Sequence, residues 1–397
     1  MRRSLGCILW FATLGFFWMA LPLCTAGARA APQQNGATSE PPQVVQLFAR
    51  GGQLIQAKDF RGAAQVYEQI LTIQPHSFPA LNNLGVIYAH LGEYTQAASA
   101  YERALRIEPG SFPLWVNLGL AYFKAREFEK AIKPLARAVA IRRDNFQAEA
   151  LLGMSYYWAG DFTSASAELE KAIAAAPGNR ALQYLLCESY LKAGQDQKLL
   201  VFTGQAGSLQ PLTAHLLRGE ADDDLNRIPA AIQEFKAAAA LAPDGAGIHF
   251  GLGFLYWESH DNRSAEAEFR REMEVGGLTP QSEAYLGDIA LKEGEVTRAR
   301  ALLRQSLSLL PKTGLAFYDA GVIDARAKND HSAERELKDA LRLGPGQRDA
   351  YIALASVYRD QGEYDLAVKA LKLAAGIPVR RRTKLSEIIS TAPPAAN

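Results

Sequence analysis

Small residues return along this chain at a fixed interval. The spacing from Gly51 to Gly85 repeats down the chain, shortens once between Cys187 and Gly219, and then holds again as far as Ala355. The series comprises Gly51, Gly85, Gly119, Gly153, Cys187, Gly219, Gly253, Gly287, Gly321 and Ala355. A fixed period of this length is typical of chains that stack one small structural unit many times. We therefore expect about ten similar units between residues 44 and 381, and not a set of separate globular domains.

Every unit contains two sets of apolar residues with helical spacing. Numbered from 1 to 34, most units carry apolar or small residues at positions 4, 7, 8 and 11, and again at positions 20, 24 and 27. Residues three and four apart lie on one face of an α-helix. Glycine often separates the two sets and proline closes many units, which favours helix ends there. The predicted helix-turn-helix units are residues 44–77, 78–111, 112–145, 146–179, 180–211, 212–245, 246–279, 280–313, 314–347 and 348–381.

The repeat resembles a known family. Its motif residues are Trp115, Leu118, Gly119 and Tyr122 in the third unit, and Leu84, Gly85, Tyr88, Ala97, Tyr101, Ala104 and Pro109 in the second. They match the tetratricopeptide pattern W-x2-L-G-x2-Y, A-x3-F, P, and the resemblance covers most of the chain. It implies an all-α fold, a right-handed α-solenoid of about ten repeats. Because one helix pair cannot bury its apolar face alone, neighbouring pairs are expected to stack.

Residues 1–30 have the order of a secretory signal peptide. Two arginines precede an apolar run from residue 5 to residue 23, and the small-residue site Ala28-Arg29-Ala30 follows. This order predicts cleavage before Ala31 and a secreted, periplasmic or envelope location. The apolar run is also long enough to cross a bilayer. An uncleaved membrane anchor is therefore the alternative, and the chain is expected to meet a membrane only in that case.

The segments on either side of the repeats have their own patterns. Residues 31–43 are rich in Pro, Gln, Ala and Ser, which predicts a flexible linker. Residues 382–397 are predicted to form a capping helix and a tail, because Leu385, Ile388 and Ile389 share one helical face. That face is expected to cover the exposed apolar edge of the last repeat.

The charge of the chain indicates no electrostatic partner. Its 43 basic and 42 acidic residues give a formal net charge of +1, so no global field attracts nucleic acid. The basic run Arg380-Arg381-Arg382 with Lys384 is interpreted as the solvated start of a helix, and contact with phosphate or a membrane surface is the alternative. Cys187 is the one cysteine beyond Ala30, and its position in the repeat indicates a small packing residue.

The repeat pattern falters in the fifth and sixth units. Leu199 and Thr203 replace the usual alanine and aromatic residue, and Asp222 replaces the usual tyrosine. The pattern indicates loosened packing, and a hinge between two half-solenoids is the alternative. The triplet from Asp222 to Asp224 lacks the alternating ligands and glycine of a calcium loop. We interpret it as a solvated acidic turn.

The sequence contains no recognisable catalytic motif. It lacks a G-x-S-x-G elbow, a G-x-x-x-x-G-K-[ST] loop, an H-E-x-x-H helix and a C-x-x-C pair. Its six histidines are scattered over different units, without the spacing of metal ligands on one helix. We therefore expect no enzyme activity, no cofactor and no metal site.

The inner side of the first helices is the candidate binding surface. Positions 2, 6, 9 and 13 point away from the apolar positions, and in a stacked solenoid they line a continuous groove. The candidate binding residues are Asn82, Asn83, Asn117, Lys124, Met154, Trp158 and Phe254. An amide can pair with the backbone of an extended peptide, and aromatic residues are typical anchors. The two units with asparagine at position 6 are similar to the asparagine ladder in the repeats of O-linked N-acetylglucosamine transferase, which supports peptide binding.

Two alternatives stay open for these residues. Asn83 and Asn117 could be solvated polar side chains without a ligand, and Phe123, Tyr157 and Trp257 could belong to the core between repeats. The favoured function is a non-catalytic scaffold that binds a peptide or an extended protein segment in its groove. A membrane-tethered assembly factor for a pilus, secretion or polysaccharide-export machine is the second hypothesis, and an enzyme accessory is the third. The oligomeric state is open.

Overall fold

The computed structural model describes residues 40–205, 209–277, 279–310, 312–344, 347–377 and 385. Within these residues the chain forms twenty α-helices and no β-strand, which confirms the predicted all-α fold. The predicted signal peptide, all but the end of the predicted linker, and the predicted cap other than Leu385 lie outside the described residues.

Successive helices pair as the first and second helices of repeats one to ten. Their bounds are α1 Pro42–Gln56, α2 Phe60–Ile73, α3 Phe78–Leu91, α4 Tyr94–Ile107, α5 Phe112–Lys124, α6 Phe128–Ile141, α7 Phe146–Ala159, α8 Phe162–Ala175, α9 Arg180–Lys192, α10 Asp196–Thr203, α11 Pro211–Asp224, α12 Ile228–Leu241, α13 Ile248–Glu258, α14 Asn262–Glu274, α15 Thr279–Lys292, α16 Val296–Ser308, α17 Gly314–Arg326, α18 Asp330–Leu343, α19 Gln347–Asp360 and α20 Tyr364–Gly376.

The glycine at position 8 lets the two helices of a repeat touch. A Cβ atom on Gly85 would lie 2.5 Å from the ring of Tyr101, and one on Gly119 would lie 2.4 Å from Cγ of Leu135. Both distances are well below van der Waals contact, so the side chain at position 24 fills the space that glycine leaves. The two helices of a repeat therefore approach closely at position 8, and position 24 supplies the large residue that faces it.

Hydrogen bonds join neighbouring repeats at two recurring positions. A side chain at position 4 donates to the carbonyl of the proline that closes the preceding repeat, in the pairs Trp115 to Pro109 (2.8 Å), Gln183 to Pro177 (2.6 Å) and His249 to Pro243 (2.8 Å). A tyrosine at position 11 donates to a glutamate at position 25 of the preceding repeat, in the pairs Tyr88 to Glu68, Tyr122 to Glu102 and Tyr190 to Glu170. These bonds set the register in which neighbouring repeats stack.

The described residues form two compact units. The N-terminal unit ends at Gln195, and the C-terminal unit begins at Asp196. The boundary lies where the sequence pattern falters, and α10 beside it has only 8 residues. Cys187, at position 8 of the fifth repeat, is fully buried, and burial raises the pKa of its thiol.

Candidate functional site

The N-terminal unit places some of the predicted groove residues at its surface. Lys124 is exposed, and Asn82, Asn83 and Trp158 are half-buried. The amide nitrogen of Asn83 donates to the hydroxyl of Tyr67 at 3.2 Å, so one donor of this amide already serves the contact between repeats. The predicted role of these four residues in binding stays a prediction.

Three predicted groove residues are buried, and the expectation that they face an open groove was wrong. Asn117 is 3% exposed, Met154 is 8% exposed and Phe254 is fully buried. The physical reason is that the first helices of successive repeats also touch each other, as α5 does with α7 and α13 does with α15. A side chain on the inner face can therefore be covered by the next repeat.

Position 13 forms a contact with the second helix of the preceding repeat. The Trp158 ring stacks on Phe128 with 5.9 Å between ring centroids, and the His90 ring stacks on Phe60 at 4.7 Å. Trp158 is therefore part of the seam between repeats as well as half-exposed. Tyr157 is buried, which agrees with its interpretation as core.

Lys192 is the centre of a buried polar network in the same unit. Its Nζ lies 2.9 Å from Oε2 of Glu188 and donates to the hydroxyl of Tyr157 at 2.6 Å. Tyr184 donates to the other carboxylate oxygen of Glu188 at 3.0 Å. Burial lowers the pKa of Lys192, but Glu188 and Tyr157 together raise it above its ordinary value. The sequence does show the opposite charges of Glu188 and Lys192 at positions 9 and 13 of one helix. Neither residue was among the predicted binding residues.

The C-terminal unit carries carboxylates on the inner side of its first helices. We call this set the acidic inner face: Glu220 and Asp223 on α11, Glu258 on α13, Asp288 on α15 and Asp319 on α17. Apart from the half-buried Glu258, each is less than a tenth exposed. Buried carboxylates are costly unless cations or hydrogen-bond donors compensate them, so this face favours contacts with such groups.

The carboxylates of the acidic inner face act on one another. Trp257 donates its Nε1–H to Asp288 at 2.6 Å, and Nζ of Lys292 lies 2.7 Å from the same oxygen. Burial and the neighbouring Asp288 hold the pKa of Asp319 well above its ordinary value. Burial also raises the pKa of Glu258 to about 8. Burial and mutual repulsion therefore outweigh the positive charge that Lys292 supplies to this part of the face.

Leu385 lies against this face and not over the last repeat, which corrects the predicted position of the cap. Its backbone N–H donates to Oδ2 of Asp223 at 2.9 Å, across 162 residues of sequence. The side chain is fully buried in an apolar cluster that includes Phe254 and Tyr285. Burial raises the pKa of the Tyr285 hydroxyl, and the nearby carboxyl groups of Asp288, Glu258 and Asp319 raise it further. Leu385 and the acidic inner face are therefore parts of one site.

The acidic triplet of the sixth repeat was wrongly interpreted as a solvated turn. It lies at the end of α11, where Asp222 and Asp223 are buried. Asp222 faces Arg227 at 3.7 Å. Among the described residues no cluster of His, Cys, Asp and Glu has the arrangement of a metal site.

Family comparisons agree with the repeat architecture. Models described as tetratricopeptide repeat match residues 78–111, 112–145, 151–198, 251–313 and 318–379. Together these matches cover more than half of the chain. This repeat fold is typical of non-catalytic scaffolds, and proteins built from it generally bind protein partners.

Two curated proteins are similar over part of this chain. Superkiller protein 3 of Schizosaccharomyces pombe is 24% identical over 157 residues, which are 38% of this chain and 11% of that protein. Protein O-mannosyl-transferase TMTC3 of Homo sapiens is 24% identical over 195 residues, which are 44% of this chain and 21% of that protein. The chain thus spans about a tenth and a fifth of the length of these relatives.

Solved structures of other repeat proteins are similar at low identity. The hetero-tetramer Cut9-Hcn1 of APC/C has 15% identity and a TM-score of 0.43, with 84% of this chain and 87% of that chain covered. MamA has 22% identity and a TM-score of 0.37, with 50% of this chain and 96% of that chain covered. Yeast Tom70 has 14% identity and a TM-score of 0.36, with 87% of this chain and 94% of that chain covered. Since these TM-scores are below 0.5, the family assignment depends on the repeat models. Separately, among the described residues no helix is long and apolar enough to cross a membrane.

Proposed function

We propose, since the chain belongs to the tetratricopeptide repeat family, that it is a non-catalytic scaffold whose acidic inner face binds a cationic, extended segment of another protein. The observation that carries this proposal is the set of buried carboxylates on α11, α13, α15 and α17. Because a buried carboxylate favours cations and hydrogen-bond donors near it, several of them along one face suit a cationic ligand. A cationic partner favours the ionised form of these carboxyl groups and gains charge-assisted hydrogen bonds.

The apolar part of the same site supports an extended segment with one apolar anchor. Asp223 accepts the backbone N–H of Leu385, and the side chain of this leucine enters the cluster with Phe254. A carboxylate that accepts a main-chain donor does not depend on the identity of the bound side chain. The site thus combines a sequence-independent contact with a pocket that selects an apolar residue.

Photo-crosslinking tests this function. Trp257, half-buried beside Asp288, is replaced by the photoreactive p-benzoylphenylalanine in cells that make the protein, and the same replacement at Tyr364 is the control. Tyr364 is 67% exposed on α20. We expect a cross-linked partner from position 257 that is lost in the Asp223→Asn, Asp288→Asn double variant and at high salt. The same partner from both positions, or its survival in the double variant, would contradict the proposal.

The assembly-factor hypothesis predicts a different result. Helix α20 leaves Leu366, Val368 and Leu371 between about 40% and 50% exposed, and an apolar edge of this kind is typical of an interface. Cross-links from Tyr364 and none from position 257 would favour assembly through this edge.

The location outside the cytoplasm is also part of the proposal. Its support is the order of residues 1–30, in which an arginine pair, an apolar run and an Ala-Arg-Ala site follow one another.

A further inference from the structure

The acidic inner face already contacts a residue from the far end of the chain. Leu385 donates its N–H to Asp223 and is fully buried. It follows closely after Gly376, the last residue of α20. A hydrogen bond to a buried carboxylate and burial in the apolar cluster are the two contacts that a bound peptide would make at this site.

The sequence just before Leu385 is complementary in charge to this face. Arg380, Arg381, Arg382 and Lys384 provide four cations within five residues. The acidic inner face provides five carboxyl groups, and the pKa of Asp319 is raised because burial and Asp288 disfavour its charged form. Cations near these carboxylates lower the cost of burying them.

The connection is short, which makes the segment an effective intramolecular ligand. Eight residue steps separate Ile377, the residue after α20, from Leu385, and an extended chain of that length spans at most about 29 Å. A ligand held on such a connection has an effective concentration on the order of millimolar. A weak site is then occupied for most of the time.

We propose that the segment from Arg380 to Leu385 is a built-in ligand of the acidic inner face, with a basic stretch for the carboxylates and a leucine for the apolar cluster. The proposal rests on the proposed function of that face and names the chemistry of its ligand. Bound in this way, the segment competes with cationic segments of a partner, so the partner must displace it.

A labelled peptide in competition with the chain's own segment tests this proposal. The probe is a fluorescent peptide with the sequence of residues 378–390, and its binding to the full-length protein is measured by fluorescence anisotropy. Leu385→Asp removes the anchor from the chain's own segment, and Val368→Asp, a similar change at a half-exposed site on α20, is the control. We expect the Leu385→Asp protein to bind the peptide roughly tenfold or more tightly than the wild-type and control proteins, because the internal competitor is lost.

A second variant covers the case in which Leu385→Asp disturbs folding. Replacing the three arginines by glutamate in the full-length protein reverses the charge of the segment and does not change Leu385 itself. We expect this protein to bind the peptide with the same increase in affinity. A version of the peptide with the arginines replaced by glutamate should bind to none of the proteins.

Equal affinity of all proteins for the peptide, or no binding to any, would overturn the proposal. A wild-type dimer that the Leu385→Asp change converts to monomers in sedimentation would also overturn it, since the occupant would then come from a second copy. The proposed function of the acidic inner face is tested separately, by the cross-links from position 257. Cross-links from position 257 to another protein would support that function even if the peptide did not bind.

Discussion

At the scale of single residues, position 4 shows how one side chain can join two neighbouring repeats. In repeats three, five and seven this side chain donates to the carbonyl of a closing proline. In repeat eight the position holds Glu283, which is fully buried, and neither of its carboxylate oxygens has a hydrogen-bond partner among the described residues. Burial raises the pKa of Glu283. An ionised carboxylate can only accept, so burial of Glu283 in this form leaves its charge without a hydrogen-bond donor among the described residues.

The change Glu283→Gln should therefore stabilise the protein. Glutamine keeps the shape and carries no charge, so it avoids the cost of burying an unpaired carboxylate, and we expect a gain of about 1 kcal/mol in the free energy of unfolding at pH 7.5. Because the folded pKa is raised, the wild-type protein binds a proton more tightly when folded and loses stability as the pH rises from the ordinary glutamate pKa through the folded one. The gain should shrink at pH 5, where a larger share of the wild-type carboxyl is protonated and uncharged.

Urea unfolding at the two pH values measures this effect. Glu129→Gln, at an exposed residue of α6, is the matched control and should change little at either pH. A gain at Glu283 that is equal at both pH values, or a loss at pH 7.5, would contradict the proposed cost of the buried carboxylate.

At the scale of helices, close packing within each pair depends on glycine at position 8. A Cβ atom at Gly119 would lie 2.4 Å from Cγ of Leu135, which is fully buried. Two opposing effects meet here. Alanine favours a helix over glycine by about 1 kcal/mol, whereas overpacking of a core costs about 1–3 kcal/mol. The steric term should win because Cγ, close to the Leu135 backbone, is the atom that clashes.

We therefore expect Gly119→Ala to lower the free energy of unfolding by about 1–2 kcal/mol. Gly110→Ala is the control, since a Cβ atom there would meet nothing within 4 Å, and it should stay within about 0.5 kcal/mol of wild type. Urea denaturation of both proteins provides the comparison. Stabilisation by Gly119→Ala would mean that the helices separate easily and that position 8 does not set their distance.

The sequence predicted this level of structure well, because helix faces follow from local spacing. Glycine at position 8 and an apolar residue at position 24 recur in most repeats. Burial on the inner side was not predictable in the same way. Asn117, Met154 and Phe254 were expected to be exposed, but contacts between successive first helices cover them. Periodicity identifies a face of a helix, and it does not reveal how far the neighbouring repeat covers that face.

At the scale of the whole chain, a net charge of +1 conceals a separation of charge. Basic residues are concentrated just before Leu385, and acidic ones line the inner side of α11, α13, α15 and α17. The contact between Leu385 and Asp223 spans 162 residues. Local patterns could not predict this contact, because helical spacing relates only residues within one element. A local pattern instead favoured a cap on the adjacent repeat.

The last prediction concerns export of the whole chain. If residues 1–30 are a cleaved signal peptide, intact-mass measurement of protein recovered from the envelope or medium should give a chain that begins at Ala31. Replacing the cleavage site by Ala28→Leu with Ala30→Leu should leave the precursor uncleaved, since the site requires small residues. Ala26→Leu, outside the two small positions, is the control and should still be processed. A full-length wild-type product in the membrane fraction would contradict cleavage and identify the apolar run as an anchor, which would favour the tethered assembly factor over a freely diffusing scaffold.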